Sequence, residues 1–560
     1  MNVRFFYLSS TRRTKRPWCL LAVLLLVLPL MAACGSQGQL PFNPQPIHVG
    51  TELAKVQVLR REVQADPETL DPSLAESVAS FDVLEDLFEG LTTLSEDGTI
   101  VPGVAASWST SADGKTWTFH LRGNARWSNG QPVTADDFVY GWRREVDPTT
   151  GSVYSDALAP IQNAVQIAEG KKPVTSLGVE APNPHTLVVH LLHPTPYLTY
   201  LLTNCYLFPL YEPAIRKWGA SWTQPGHMVS NGAFELAGRV INGSITLVKN
   251  PYYWNAGQVH LTKVIDYPIS NVDSATDQYL AGSIDFTDEF NPTEKTMLQR
   301  ALGSQVVIGP YFGTAMLSYN LTKPPFQKNR KLRLALNMAV DRNILVRYVQ
   351  RGIGIPAYNI MPPLPGYKPQ VPYWAKLPRA QRHALALRLY HEAGYSKAHP
   401  LQAVLTYPSG GPQARQLMEA LTAMWQMNLG ANIQIYNIEW KVFLQNLQLK
   451  QPTLFWNAWI GDFPDPFTFM QLYTTGFGMN YGNYSNPKFD ALVSEAAETQ
   501  DIPQRYTLFA QAGAILNQDA PYLPLSYYET VHLIKPYVKG WKQNVMDRNL
   551  SQYMYILAHN

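Results

Sequence analysis

Residues 401–438 read LQAVLTYPSGGPQARQLMEALTAMWQMNLGANIQIYNI. LQAVLTY predicts a strand, PSGGP a turn, and Gln413–Leu429 a helix that ends at Gly430. ANIQIYNI predicts a second strand, so the segment is typical of a βαβ unit. Because strands also alternate with helices near the other end of the chain, around a central insertion, the sequence indicates a multi-domain α/β protein.

Two neighbouring stretches contain patterns that predict local structure. Ser107–Leu121, SWSTSADGKTWTFHL, predicts a β-hairpin, because Asp113-Gly114 supplies a turn and the apolar residues after it alternate. Thr134 predicts the N-cap of a helix, with Asp137 completing a variant of the capping box. The adjacent carboxylates at 136–137 are therefore interpreted as part of a helix start and not as catalytic groups.

Coarser patterns cover other parts of the chain. Residues 51–125 are predicted to form strands and turns, and Thr186–Leu192, TLVVHLL, to form an apolar strand. Residues 331–349 predict a helix, because apolar side chains recur at helical spacing. Six prolines between Pro356 and Tyr373 predict an irregular surface segment.

The composition excludes several classes of protein. The chain has 560 residues, of which 46% are hydrophobic and 16% are charged, so it is neither disordered nor of low complexity. Five positive charges and no acid precede Cys34, so the net charge of +3 becomes −2 for residues 34–560. A nearly neutral chain gives no electrostatic case for nucleic acid or for a polybasic membrane patch.

The N-terminus predicts export. Residues 1–18 are basic, and Cys19–Met31 form an apolar run with Pro29 inside, too short to span a bilayer. Residues 1–33 are therefore predicted to be a signal peptide. Ala32-Ala33-Cys34 resembles the bacterial lipobox, which implies a lipid on Cys34. The Gly-, Pro- and Gln-rich composition after Cys34 predicts a flexible tether at 34–50. Cleavage to a free exported protein is the alternative.

Motifs for chemistry are sparse. The sequence contains no HExxH, GxSxG or P-loop motif. Ser485 and Lys488 fit SxxK, but a capped helix start explains the same residues. His383 and His391 have no third metal ligand nearby in sequence, and Cys205 has no partner for a disulfide and lies in an apolar stretch. Neither catalysis nor a metal or cofactor is expected.

Several ordered segments carry a family resemblance. The longest is PGVAASWSTSADGKTWTFHLRGNARWSNGQPVTADDFVYGWRREVDP, Pro102–Pro148. Shorter ones include SNGAFEL (Ser230–Leu236), KPPFQKNRKLRLALNMAVDR (Lys323–Arg342) and AWIGDFPDPFTF (Ala458–Phe469). From about residue 57 onward, the chain resembles bacterial extracellular solute-binding proteins of the oligopeptide-binding family, which are partners of ABC importers.

The resemblance implies a two-lobed periplasmic-binding-protein fold of type II, with an extra α/β domain inserted in the first lobe. The ligand is expected in the interface between the lobes. We predict a first lobe from 51–88, 214–311 and 530–560, an inserted domain at 89–213, and a second lobe at 312–529.

The resemblance also implies binding residues. Gly461-Asp462-Phe463 fits the family stretch whose acid pairs with the α-ammonium of a bound peptide, and Trp459 resembles the aromatic wall beside it. Glu76, Tyr154 and Tyr528 match further positions that line the pocket in the family, and for these three and Trp459 core packing is the alternative. The other predicted ligand-binding residues are Ala458 and Gly461, in the segment Ala458–Asp462 that is expected to offer a backbone edge to the peptide. For Asp462, the alternative is a turn cap, although Asp465 suits that role better.

The sequence departs from the family pattern at the positions that meet the peptide carboxylate in some members. Leu447, Trp456 and Ala414 stand there, with Lys450 and Arg415 nearby. Recognition of the carboxylate and the preferred peptide length stay open.

The function implied is a monomeric, lipid-anchored receptor that passes short peptides to an ABC permease driven by its ATPase. The alternatives are a binder of another solute (a dipeptide, a wall peptide, a glycopeptide, a nickel chelate or haem), a sensory or adhesive surface protein, and an exported hydrolase.

Overall fold

The structure is a computed structural model, and it describes residues 46–409 and 411–560. The predicted signal peptide and Cys34 lie outside these residues. Within them the strands are β1 Val49–Leu53, β2 Val58–Val63, β3 Thr92–Leu94, β4 Ile100–Pro102, β5 Ala105–Thr110, β6 Thr116–Leu121, β7 Val179–Asn183, β8 Thr186–His190, β9 Phe234–Val240, β10 Ser244–Lys249, β11 Lys263–Pro268, β12 Val306–Tyr319, β13 Ile355–Pro356, β14 Gln402–Pro408, β15 Asn432–Ile438, β16 Leu454–Ile460, β17 Tyr522–Leu533, β18 Val538–Lys539 and β19 Tyr555–His559.

The helices of the same residues alternate with these strands, as expected of an α/β protein. They are α1 Val78–Leu87, α2 Ala135–Val146, α3 Ala164–Ala168, α4 Leu198–Leu201, α5 Glu212–Trp218, α6 Val272–Leu280, α7 Lys295–Leu302, α8 Arg330–Ala339, α9 Arg342–Ile344, α10 Arg379–Glu392, α11 Gly411–Leu429, α12 Trp440–Gln448, α13 Phe467–Met470, α14 Pro487–Glu498 and α15 Ile502–Asp519. A π-helical turn, Leu345–Val349, continues α9. Across the described part of the chain, no helix has both the length and the apolar character needed to cross a bilayer.

The βαβ unit predicted at 401–438 is confirmed. Strands β14 and β15 run parallel from the pair Gln402–Asn432 to the pair Pro408–Ile438, and α11 connects them. They form one edge of a six-stranded sheet with the order β13-β17-β12-β16-β14-β15. The apolar face of α11 packs into a core that contains Leu421 and Trp425, so the unit anchors this sheet.

Two long strands run from this sheet toward the other half of the protein. Strands β12 and β17 pair at Val306–Leu533 and again at Ser318–Tyr522, with the register shifted between Pro310 and Thr314. A shift of register bends and twists a strand pair. The bend lies near residues 311 and 312, where the predicted first lobe meets the predicted second. The exact bounds of the lobes stay a prediction.

The other sheets draw on the first half of the chain, and one of them also contains the C-terminal strands β18 and β19. Strands β2, β11, β10 and β9 form one four-stranded sheet, and β5, β6, β8 and β7 form another. Strand β1 pairs with the C-terminal β19, from Val49 opposite His559 to Leu53 opposite Leu557. The predicted tether at 34–50 is therefore wrong at its end, because Val49 and Gly50 belong to a strand that backbone hydrogen bonds hold to β19.

The hairpin predicted at Ser107–Leu121 and the helix start predicted at Thr134 are confirmed. Strands β5 and β6 pair antiparallel, and Gly114 between them has φ of +69°, a conformation that favours glycine. At the start of α2, the Thr134 backbone N–H donates to the Asp137 carboxylate at 2.7 Å. Asp137 thus closes the first turn of the helix, as predicted for this carboxylate pair.

Three expectations about secondary structure are wrong. Residues 51–125 include helix α1, whose N-cap Ser77 accepts from the Ser80 N–H at 3.1 Å. The helix predicted at 331–349 breaks at the extended Val340, because Asp341 caps a new helix by accepting from the Ile344 N–H at 3.3 Å. The proline-rich segment is irregular but not superficial, since its apolar residues Ile360, Met361 and Leu364 are buried in a core.

Candidate ligand-binding cleft

A cavity of about 510 Å³ is lined by residues of α1, β12, β16 and β17. One wall is the exposed side of α1, which contributes Phe81, Asp82 and Glu85. The end of β16 and the loop that follows it contribute Ile460–Asp462. Strand β12 contributes Tyr311 to the lining, and strand β17 contributes residues 528–531. Segments that are distant in sequence therefore converge on one concave surface, as expected for a binding cleft.

The loop after β16 requires a glycine. The Gly461 N–H donates to the Phe312 carbonyl at 2.8 Å, which holds the loop against β12. A Cβ atom on residue 461 would lie 2.5 Å from Cδ1 of Phe312 and 2.9 Å from Cγ2 of Thr468. Only glycine fits this close approach without displacing the Phe312 ring. Gly461 thus sets the position of the next residue, Asp462.

The buried hydroxyl of Thr468 orients the Asp462 carboxylate. Its oxygen accepts from the Asp462 N–H at 3.2 Å and from Nε1 of Trp459 at 2.9 Å. Its own hydrogen is donated to Oδ2 of Asp462 at 3.0 Å. Every hydrogen-bonding capacity of the hydroxyl is used, so the carboxylate has a defined direction. Trp459 contributes to the site through this hydrogen bond. Its side chain does not line this cavity, nor the second cavity described below.

Asp462 faces the cavity without a positive partner. Its side chain is open to the cavity, and no ion pair involves it among the described residues. Crowding by the surrounding protein raises the pKa of the Asp462 carboxyl, while the hydrogen bond from Thr468 lowers it. A carboxylate that loses solvation without gaining a counter-ion is stabilised by a ligand that brings a positive charge.

Asp465, three residues further on, has a structural role instead. Its Oδ1 accepts from the Phe467 N–H at 2.8 Å, and its two oxygens receive Nε and Nη2 of the buried Arg505 at 3.0 and 2.9 Å. The interpretation that Asp465 suits the turn better than Asp462 is confirmed. The bidentate pair fixes the far end of the loop.

The other predicted binding residues fall into two groups. Tyr154 and Tyr528 line the cavity, and the Tyr154 ring stacks on that of Tyr206 with centroids 4.7 Å apart. Glu76 is exposed and does not line the cavity. Burial raises the pKa of the Tyr154 phenol, and the nearby Cys205, Asp462 and Glu76 raise it further, in this order. Ala458 lies within β16, half-buried, and offers only its backbone.

Strand β16 is fully paired along one edge and only partly paired along the other. All seven of its residues pair with β12, from Leu454 opposite Tyr319 to Ile460 opposite Gly313. On the other side only Leu454 and Phe455 pair with β14. Within the described residues, the outer edge from Trp456 to Ile460 therefore has no partner strand, and it ends at the Asp462 loop. An extended ligand can hydrogen-bond to such an edge.

A second cavity, of about 430 Å³, adjoins the first. The two cavities share Tyr528 and Glu529, so together they form a longer cleft. Ala414 and Trp456 line the second cavity. Leu447, by contrast, is buried in a small apolar cluster.

The two cations near these positions are held elsewhere. Lys450 Nζ donates to the Asn480 carbonyl at 2.8 Å, and Arg415 pairs with Glu419 at 2.7 Å. Neither side chain lines the cleft.

Sequence reasoning missed most of the acidic groups in the first cavity. Beyond Asp462, these are Asp82, Glu85, Asp288, Glu289, Glu529 and Asp547. They come from four separate segments, and no spacing in the sequence brings them together. Recognising α1 as a helix would have placed Asp82 and Glu85 on neighbouring turns of one face. The others converge only through the tertiary fold.

The remaining motifs do not form a reactive site. Asn486 caps α14 by accepting from the N–H groups of Lys488 and Phe489 at 3.0 and 3.3 Å, so the motif at Ser485 and Lys488 is a helix start, as interpreted. Cys205 is a buried free thiol whose pKa is raised by burial, which disfavours the nucleophilic thiolate.

A two-lobed α/β protein with a cleft at its crossover strands belongs to the class of periplasmic-type solute-binding proteins. Residues 99–481 match the family described as "Bacterial extracellular solute-binding proteins, family 5 Middle". The chain belongs to this family.

Individual relatives cover almost the whole chain. The periplasmic oligopeptide-binding protein OppA of Escherichia coli is 37% identical over 518 residues, 92% of this chain and 95% of the relative. The unliganded open form of the murein tripeptide-binding protein MppA superposes with a TM-score of 0.83 at 36% identity, over 91% and 99% of the two chains. Haemophilus influenzae OppA in complex with the peptide RPPGFSPFR superposes with a TM-score of 0.74 at 34% identity, over 90% of this chain and 100% of that one.

Proposed function

We propose that this protein is the substrate-binding component of an ABC importer, which captures short peptides outside the cell and delivers them to the membrane permease. The observation that carries the proposal is Asp462, an oriented carboxylate that has no counter-ion in the part of the chain that the structure describes and that follows a strand edge unpaired in the same part. A peptide offers an α-ammonium for the carboxylate and backbone groups for the edge, in the same spatial order.

The edge of β16 explains how one site accepts many sequences. Hydrogen bonds from Trp456–Ile460 would bind backbone groups that every peptide has, independent of side chains. The two adjoining cavities leave room for side chains and for water between them. Tyr154 and Tyr528 would contact the ligand as walls of the first cavity.

Closure of the lobes would complete the site. The shifted register between Pro310 and Thr314 gives β12 and β17 a bend where β12 lines the cleft. The likeness to an unliganded open form, with a TM-score of 0.83, exceeds that to a peptide complex, with 0.74, which supports an open arrangement in this structure. The closed protein would act as a monomer on the permease, whose ATPase performs the work, and would catalyse no reaction.

The location proposed is the outer face of the cytoplasmic membrane or the periplasm. Export follows from the basic and apolar residues 1–33, and a lipid on Cys34 would anchor the protein near its permease.

A second candidate is a binder of wall peptides, since a relative with 36% identity is named for murein tripeptide. Such peptides also carry a free amine, which Asp462 would bind.

Native mass spectrometry of the freshly purified protein tests the proposal. We expect bound masses that fragment as short peptides and that are released by mild unfolding. Calorimetry on the stripped protein should then show binding of synthetic tripeptides to pentapeptides with free amino termini. A stripped and folded protein that binds none of them would contradict the proposal, and co-purified muropeptides would select the second candidate.

A further inference from the structure

The second cavity differs from the first in the chemistry of its lining. Seven carboxylates line the first cavity, whereas Glu529, which the two cavities share, is the only acid in the described lining of the second. Most of the second lining is apolar or aromatic, and it includes Val349, Ile353, Tyr407, Leu417, Met418 and Trp456. Because water gains little from such walls, an apolar group that displaces it from them binds favourably.

Two polar groups of this lining are already engaged by protein atoms. Glu529 accepts from the Gly354 N–H at 2.6 Å, and Nε2 of Gln350 donates to Oγ of Ser526 at 2.9 Å. Oε1 of Gln350 is buried and has no hydrogen-bond partner within the residues that the structure describes. This oxygen is an acceptor, so it suits a backbone N–H of a ligand and disfavours a carboxylate, which also offers only acceptors.

Arg351 is the only cation in the described lining of the second cavity, and its side chain is exposed. An ion pair with an exposed guanidinium contributes little, because water and salt screen the charge. Lys450 and Arg415 are held elsewhere. Within the described residues, this cavity therefore has no buried cation that would offset the desolvation of a ligand carboxylate.

Strand β16 sets the distance between Trp456 and the carboxylate of Asp462. Trp456 begins the edge segment Trp456–Ile460, and Asp462 lies six residues further along the chain. At about 3.3 Å per residue, the strand places these two residues roughly 20 Å apart. An extended peptide has a similar rise, so a peptide with its α-ammonium at Asp462 brings its third and later residues beside Trp456.

We propose that the second cavity receives an apolar or aromatic side chain of the ligand, in contact with Trp456, and does not bind the ligand's carboxylate. The inference rests on the proposed function and narrows its substrate class to peptides with a bulky apolar residue beyond the second position. Burial of that side chain against Trp456 and Leu417 removes apolar surface from water. The flexible thioether of Met418 adapts to side chains of different shape, so leucine, methionine and phenylalanine are all accepted.

The test is calorimetry with variants of penta-alanine. Leucine is placed in turn at positions three, four and five, and each peptide is compared with its asparagine counterpart, which has a similar size but a polar amide. At one of these positions, we expect leucine to bind at least about tenfold more tightly than asparagine. Amidation of the C-terminus, which removes the carboxylate charge, should change the affinity of the preferred leucine peptide by less than about twofold.

The variant Trp456→Gln removes the aromatic wall of the cavity. In this protein the preference for leucine should fall below about threefold, while penta-alanine binds as it does to the wild type. Ala414→Asn, which adds a polar side chain at another residue of the lining, should also reduce the preference. Trp218→Gln is the matched control, because Trp218 is exposed on α5 and lines neither cavity. It should keep the preference, and melting curves establish that each variant is folded.

The outcomes separate the inference from the proposed function. A wild type that binds penta-alanine but does not prefer leucine at any of the three positions would overturn the inference and leave the proposed function intact. A tenfold loss on amidation would also overturn it, since the cavity would then bind the carboxylate. So would a preference that persists unchanged in both Trp456→Gln and Ala414→Asn. Failure of every peptide to bind would overturn the proposed function itself.

Discussion

The ring of Tyr197 lies flat on that of Phe463, with centroids 4.4 Å apart and planes 3° from parallel. Tyr197 precedes α4, whereas the buried Phe463 directly follows Asp462. The same tyrosine ring also stacks on Phe467, with centroids 5.4 Å apart. An aromatic contact from a distant part of the chain therefore supports the loop that carries the proposed amine-binding carboxylate.

Replacing Tyr197 with alanine should weaken peptide binding without unfolding the protein. An aromatic stack contributes about 0.5–1.5 kcal/mol beyond area burial, so affinity should fall by roughly twofold to tenfold. Tyr197→Phe keeps the stack and should bind as the wild type does. Calorimetry with one tripeptide measures all three proteins, and equal affinities for wild type and Tyr197→Ala would mean that the loop is positioned without this contact.

The ion pair between Arg505 and Asp465 should matter for stability. Arg505 is fully buried, and its removal leaves a largely buried carboxylate unpaired, which costs about 3–5 kcal/mol. Arg505→Gln should lower the free energy of unfolding by this amount, as measured by urea denaturation. Arg415→Gln is the matched control, because Arg415 pairs with Glu419 on an exposed helix face, and it should leave the denaturation midpoint unchanged.

His532 should make the stability depend on pH. The pKa of His532 is raised to about 9, because the attraction of Asp547 and Asp288 and the hydrogen bonds to Asp547 and Thr287 outweigh burial. A raised folded-state pKa stabilises the protein fully below the unfolded value of about 6.5, and this contribution is lost as pH rises to 9. We expect the free energy of unfolding to fall by about 1–3 kcal/mol over this interval.

The control for His532 isolates this titration from others. His532→Gln should remove the part of the fall between pH 6.5 and 9 that His532 contributes, whereas His391→Gln, at an exposed helix position, should retain the whole fall. Because other groups such as Glu62 titrate in both proteins, the relevant quantity is the difference between wild type and His532→Gln at each pH. A difference that does not change with pH would mean that His532 is neutral when folded.

The N-terminal proposal has its own test. Cys34→Ser removes the thiol that a lipid would modify, so the variant should leave the membrane fraction and appear in the soluble exported fraction. Cys205→Ser, which changes a buried thiol far from the N-terminus, should fractionate with the wild type. Membrane association that survives the loss of Cys34 would contradict lipid anchoring at that residue.

Local patterns predicted part of the fold. The strand–helix–strand unit at 401–438, the hairpin around Gly114 and the cap at Thr134 each depend on turn chemistry or periodicity within about 40 residues, and each is confirmed. The helix at 331–349 was predicted as continuous because its apolar spacing persists. A single side chain, Asp341, ends that continuity by capping a second helix.

The candidate site, like the fold, could be predicted from the sequence only in part. Asp462, Tyr154 and Tyr528 were singled out by family resemblance, and the fold places all three on one cavity. The position of Asp288 and Glu289 on the cavity could not be predicted, because it depends on contacts with α1 and with the region of His532, which are more than 200 positions away in the sequence. The orienting hydroxyl of Thr468 was missed, since a lone threonine in an apolar stretch gives no signal in the sequence.

The central claim is that Asp462 binds the α-ammonium of a peptide, and the substitution Asp462→Asn tests it with little change of shape. An ammonium enclosed in the closed cleft without its counter-ion costs about 3–5 kcal/mol, so affinity should weaken by roughly two to three orders of magnitude. N-acetylation of the peptide removes the same charge from the ligand.

Calorimetry on wild type and Asp462→Asn, each with a free and an N-acetylated peptide, is the most direct measurement. Both proteins should first show the same melting behaviour. The account predicts a large loss from either change alone and little further loss from the two together, because both break one shared interaction. Asp462→Asn binding the free peptide as tightly as the wild type would contradict it.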